Sequence, residues 1–172
     1  MDRLVFHEDE TGIATLHDLA AFQFFPEYPS SNDGTFGTTG VWSPLRENTG
    51  LASLAIAPAE LGALMPAGST RIEHVFSYYG PPDNVSPLPT IAFALDNDRA
   101  ILVDIARAGV VASVWILDHS MDPSWVRPSL LKLSEQWPLL LWDDYFDFQF
   151  PLADTDKLDA WLAALRARRS VA

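Results

Sequence analysis

The chain has 172 residues, 48% hydrophobic and 20% charged, with 23 acids against 11 Lys and Arg and a formal net charge of −12. That length and apolar content suit one domain, 1–172, with a real core, and exclude a disordered chain. The negative field excludes a nucleic-acid partner, which needs clustered cations, and points to a basic protein partner instead.

The opening residues, MDRLVFHEDE, lack the basic start and apolar run of a signal peptide. No run reaches the roughly 18 apolar residues of a spanning helix, so a cytoplasmic protein with no membrane contact is expected. Cysteine is absent, which removes disulfides, thiolate metal sites and thiol nucleophiles.

Taken in order, RLVFH (Arg3–His7) reads as a short strand closed by the polar turn EDETG. IATLHDLAAFQFF is open between strand and helix. From Pro26 to Gly50 the chain is rich in Pro, Gly, Ser and Asn, which predicts a long loop or loose hairpin, tied to the body by Trp42. LASLAI reads as a strand, and PAELGALM as a short helix with Pro58 at its first position. TRIEHVFSYY (Thr70–Tyr79) reads as one strand with Ile72, His74, Phe76 and Tyr78 on one face, broken by GPPDNVSPLP. Three apolar runs follow, TIAFALD, RAILVDIA and VVASVWILD, with Asn97-Asp98 and RAG between them. These turn residues predict an antiparallel meander over about 90–118.

DPSWVRPSLLKLSEQW has a helical period, with Val126, Leu130, Leu133 and Trp137 on one face and Pro138 as the stop. LLLWDDYFDFQF reads as a strand. The closing TDKLDAWLAALRARR is a helix with Leu158, Trp161, Leu162 and Leu165 as its apolar stripe. Its acids open it and Arg166, Arg168 and Arg169 close it, as the helix dipole prefers. Strands and helices come in blocks, so the fold class is α+β: an antiparallel β-sheet with helices packed on one side.

The stretch WDDYFDFQF (Trp142–Phe150) sets three aspartates among five rings. Counted as a single strand, it puts Trp142, Phe146, Phe148 and Phe150 on one face with Asp144, and Asp143, Tyr145, Asp147 and Gln149 on the other. Asp143, Tyr145 and Asp147 are then the first candidates for partner contact, with Asp118 and Asp122 next. Asp118 to Asp159 holds nine acids against three bases. Rings supply contact area and carboxylates pair with guanidinium groups, so such a surface suits a partner presenting Arg and Lys. The bland alternative is a surface strand with solubilising charges.

Other motifs carry less. DND (Asp96–Asp98) has the spacing of a metal-dependent sugar transferase, but stands where hairpin residues belong. His7, His17, His74 and His119 make no metal-ligand spacing, so no metal or cofactor is expected. DHS (Asp118–Ser120) holds the residue types of a catalytic triad, yet neighbours on a strand point alternately. Asn84-Val85-Ser86 matches a glycosylation acceptor but lacks a route to secretion.

IAFALDNDRAILVDIARAGVVASVWILDHSMDP, leading into a helix, resembles the central part of SUKH (SMI1/KNR4-like) proteins. The matching positions are Asp96 to Asp98, Asp104, the Val114–Trp115 pair and Asp118–His119. APAELGALMP is at best a distorted counterpart of that family's N-terminal signature, and the chain from Leu139 onward has no clear equivalent. The resemblance implies an α+β fold without catalytic residues and, as in many bacterial members, an immunity protein that neutralises a toxin. The expectation is therefore a non-enzymatic acidic binding protein. Its competitors are a small hydrolase using His119 or His74 with nearby carboxylates, and a structural or regulatory homo-oligomeric subunit using the 26–50 loop.

Overall fold

Three apolar runs and two tight turns dictate the centre of the molecule. In a computed structural model, which describes residues 2–7, 13–26, 40–78, 81, 84–120, 122–144 and 148–171, they form strands β8 (Thr90–Ala94), β9 (Arg99–Ile105) and β10 (Val111–Asp118). Between β8 and β9 the Asp98 amide donates to Asp96 Oδ1 at 2.9 Å, and Leu95 N–H donates to the Arg99 carbonyl at 2.8 Å. Between β9 and β10, Gly109 takes φ +82°, a left-handed backbone that a Cβ would penalise. Asn and Asp at one turn and Gly at the other thus close the predicted meander.

The earlier strands are β1 (Leu4–His7), β2 (Ile13–Asp18), β3 (Phe22–Pro26), β4 (Gly40–Pro44), β5 (Thr70–Ile72), β6 (Val75–Tyr78) and β7 (Val85–Leu88). After the meander come β11 (Leu139–Asp143) and β12 (Phe148–Pro151). The helices are α1 (Pro58–Gly62), α2 (Arg127–Gln136) and α3 (Thr155–Val171). Seven strands join in one sheet, β12-β11-β2-β10-β9-β8-β5, with every neighbouring pair antiparallel. Strand β2 lies between β10 and β11, far from both in sequence.

One face of this sheet carries Ala14, Leu16, Ile101, Val103, Val114, Ile116, Leu139, Leu141 and Phe150. Against it pack Leu61 of α1, Leu130 and Leu133 of α2, and Leu158, Trp161, Leu162 and Leu165 of α3. The chain is thus α+β, with its helices on one side of an antiparallel sheet. The opposite face is covered in two places. The three-stranded sheet β1-β6-β7, in which β1 runs parallel to β6, sets Leu4, Phe6 and Val75 against Ala92, Leu102 and Leu117. The β3–β4 hairpin covers the other part: Phe22 packs with Leu140, Trp42 and Trp142.

Several elements differ from the sequence reading. LASLAI is not a strand: Ala52–Leu54 form a 3-10 turn, flanked by buried Leu51 and Ile56. TRIEHVFSYY is two strands in two sheets, broken at Glu73 and His74, so His74 is exposed instead of sharing the buried face of Ile72. Val85–Leu88, read as part of a break, is strand β7. The ambiguous IATLHDLAAFQFF is β2 and β3 joined by a 3-10 turn, whose start Asp18 caps by accepting the Ala20 amide at 3.0 Å. Within the 26–50 segment, β4 pairs with β3 as a hairpin and Trp42 meets Phe24 at 5.1 Å; residues 27–39 lie outside the described residues.

Candidate functional site

The register gathers the acids that sequence could only count. Asp96 and Asp98 lie in the β8–β9 turn, Asp118 ends β10 opposite Arg99, and Asp143 ends β11 opposite Phe148. Strand β2 begins between them, Ile13 facing Leu117 and Thr15 facing Trp142. Asp96, Asp98, Asp118, Asp122, Asp143 and Asp144 therefore share one end of the seven-stranded sheet, forming an acidic rim.

Their side chains differ in role. Asp118 is 2% exposed and accepts the amide and hydroxyl of Ser120 at 2.9 and 2.6 Å. Asp122 is exposed and caps the 3-10 turn before α2 by accepting the Ser124 amide at 3.0 Å, while Arg166 of α3 pairs with it at 3.1 Å. Those donors, the Ser124 amide first, hold its carboxyl at about 2, below the ordinary aspartate value of 3.8. Arg99 donates from Nε and Nη2 to Asp96 at 2.9 and 2.6 Å, which lowers the Asp96 pKa. Asp98 and Asp144 are exposed, and neither forms an ion pair with a described residue.

Asp143 is the main correction. Expected on the outer face, it is 2% exposed, and Trp161 Nε1–H of α3 donates to its Oδ2 at 2.7 Å. The single-strand count fails because the chain turns: Asp143 pairs with Phe148 across a hairpin, which resets the alternation. Asp143 shares its face with Leu139 and Leu141, toward the helices, whereas Trp142 faces the β3–β4 hairpin. With both faces covered, β11 reads as a continuous apolar run and alternation carries no direction. Asp144, expected inward, is the exposed one. Tyr145 and Asp147 lie outside the described residues.

Of the histidines considered for hydrolysis, His119 follows β10 at the rim, and His74 follows β5 at the opposite end of the sheet, so the fold does not bring them together. His17 is the better-built histidine. Its Nε2 lies 2.8 Å from the Thr15 hydroxyl, its Nδ1 2.8 Å from that of Thr49, and its ring meets Phe22 and Trp142 at 5.7 and 5.6 Å. Burial lowers its pKa from 6.5, against the opposing pull of the Asp144 charge. Among the described residues, no three His, Asp or Glu side chains come together to hold a metal ion, and no helix is long and apolar enough to cross a membrane.

Comparison with models of protein families, with characterised proteins and with solved structures finds no match.

Sequence reasoning missed two polar assemblies. At the end of the sheet away from the rim, Asp18 (4% exposed) accepts from Arg46 Nη2 at 3.0 Å and from Ser53 Oγ at 2.9 Å, tying the segment after β4 to β2. On the face opposite the helices, Asp104 accepts one hydroxyl from Thr90 and another from Ser113, the latter at 2.6 Å. Both are built from residues distant in sequence, so spacing held no signal. The Asp18 cap at the start of a turn was the one local cue.

Proposed function

We propose that the chain is a non-enzymatic acidic binding protein, most concretely an immunity protein that occludes the active site of a basic bacterial toxin. The observation that carries this reading is the exposed pair Asp98 and Asp144, without ion pairs to described residues, on one end of a continuous seven-stranded sheet. Exposed carboxylates beside the strand ends, together with a net charge of −12, steer a cationic partner into place. Asp122 belongs to the same surface; Asp118 and Asp143 support it from below. The resemblance of the meander to SUKH proteins points the same way.

The test is association with the product of the adjacent gene, since immunity proteins are encoded beside their toxins. Asp98→Lys with Asp144→Lys is expected to slow association roughly tenfold at low salt and to flatten its salt dependence, with the fold retained. Binding kinetics identical to the native chain would remove the rim from the interface. Absence of any complex, or of any protection against the neighbour's toxicity, would remove the immunity reading.

A further inference from the structure

Between the small sheet and the main one lies a cavity of about 150 Å³, lined by Phe6, Leu88, Pro89, Thr90, Leu102, Asp104 and Trp115. Strands β1, β7, β8, β9 and β10 all contribute, so the space exists only where the two sheets meet. An apolar cavity of roughly this size holds a benzene-sized molecule. Left unfilled, it costs stability, because its lining loses contacts on one side.

Two polar side chains, Thr90 and Asp104, break the apolar lining, and only Asp104 is a carboxylate. Asp104 stands on β9 directly across from Thr90 of β8 and Ser113 of β10. Thr90 Oγ1 donates to its Oδ1, Ser113 Oγ donates to its Oδ2 at 2.6 Å, and Trp115 Nε1–H in turn donates to Ser113 Oγ at 3.0 Å. Every hydrogen in this row points toward the carboxylate, and each donor is fixed on a central strand of the sheet. A carboxylate oxygen has two lone-pair directions, so among the described residues each Asp104 oxygen keeps one in reserve. No described Lys or Arg pairs with it. A negative charge beside apolar surface is costly unless it is paired. The missing complement is therefore a cation that donates hydrogen bonds and carries an apolar body.

We propose that this cavity binds a small protonated primary or secondary amine, its apolar part between Phe6, Leu88, Leu102 and Trp115 and its ammonium on Asp104. A quaternary ammonium fits less well, having no N–H to donate. The acidic rim is not involved: the cavity lies on the face opposite the helices, toward the other end of β9.

Benzylammonium, benzyl alcohol and toluene share one ring and differ at the polar end, which makes them the probes. Each is titrated into the native chain while the methyl resonances of Leu88 and Leu102 and the indole resonance of Trp115 are followed. Benzylammonium is expected to bind saturably and roughly tenfold more tightly than the two neutral probes, the contribution of one charge-assisted contact. In Asp104→Asn that advantage disappears while toluene binds as before. Leu88→Trp, which puts a large ring into the lining from the small sheet and leaves Asp104 itself in place, is expected to abolish all three. Equal affinity for charged and neutral probes, an unchanged benzylammonium affinity in Asp104→Asn, or no saturable shift with any probe would overturn the proposal. Should Asp104→Asn fail to fold, the three-probe comparison on the native chain and on Leu88→Trp decides it.

Discussion

The contact between Trp161 and Asp143 ties the final helix to the sheet through one buried bond, 2.7 Å long. Removing only the donor leaves a carboxylate oxygen buried without that partner, so Trp161→Phe is expected to destabilise by about 1–3 kcal/mol in urea unfolding. Asp143→Asn keeps an acceptor for the indole and is expected to cost less than Trp161→Phe; equal costs would mean that Asp143 acts through more than its bond to the indole. Residues 142–144 also show where sequence reading stops. Trp142 and Asp143 do alternate in direction, but nothing local says which direction is inward when both faces are covered. His17 makes a second prediction at this scale. Its folded pKa is depressed by burial below 6.5, so as pH falls through 6.5 the unfolded state takes up the proton first. Stability therefore declines below pH 6.5, and His17→Gln is expected to flatten that part of a stability–pH profile. An unchanged slope would locate the sensitivity elsewhere.

The meander was legible at the level of whole elements because its signals are local: apolar runs of strand length, Asn-Asp at one turn and Gly109 at the other. Helices α2 and α3 were legible for the same reason, each with a 3.6-residue apolar stripe and a stop or charge bias at its end. One kind of failure came where a single apparent run serves two sheets. TRIEHVFSYY supplies β5 to the main sheet and β6 to the small one, and the break at Glu73–His74 carries neither Gly nor Pro. The pairing of β1 with β6, and of β3 with β4 across residues 27–39, is likewise a matter of long-range fit. Gly40 shows how tight that fit is. A Cβ placed there meets the Phe25 carbonyl oxygen and comes within 2.5 Å of the Phe24 ring. Gly40→Ala is accordingly expected to loosen the hairpin at a cost of about 1–3 kcal/mol, read by urea unfolding and by loss of the near-UV signal of Trp42. An intact signal with native stability would mean that the strand can shift to make room.

For the molecule as a whole, a net charge of −12 opposes compaction, and the rim concentrates part of that repulsion at one end. Raising ionic strength from roughly 0.01 M to 0.15 M shortens the screening length from about 30 Å to about 8 Å, and is expected to raise the urea midpoint of the native chain. The gain should be smaller in Asp98→Asn with Asp144→Asn; an identical gain would mean the repulsion arises elsewhere. Composition announced the charge, but only the register of β8 to β11 could reveal its location. The same register constrains how the protein is made. Because residues 13–18 end up flanked by β10 and β11, strand β2 cannot gain both neighbours until the chain through about residue 143 has been made. Such non-local closure is slow, and the waiting apolar strand is exposed to wrong partners meanwhile. A translation product stopped before Leu139 would carry a gap beside that strand, making prematurely terminated chains prone to aggregate and dependent on chaperones.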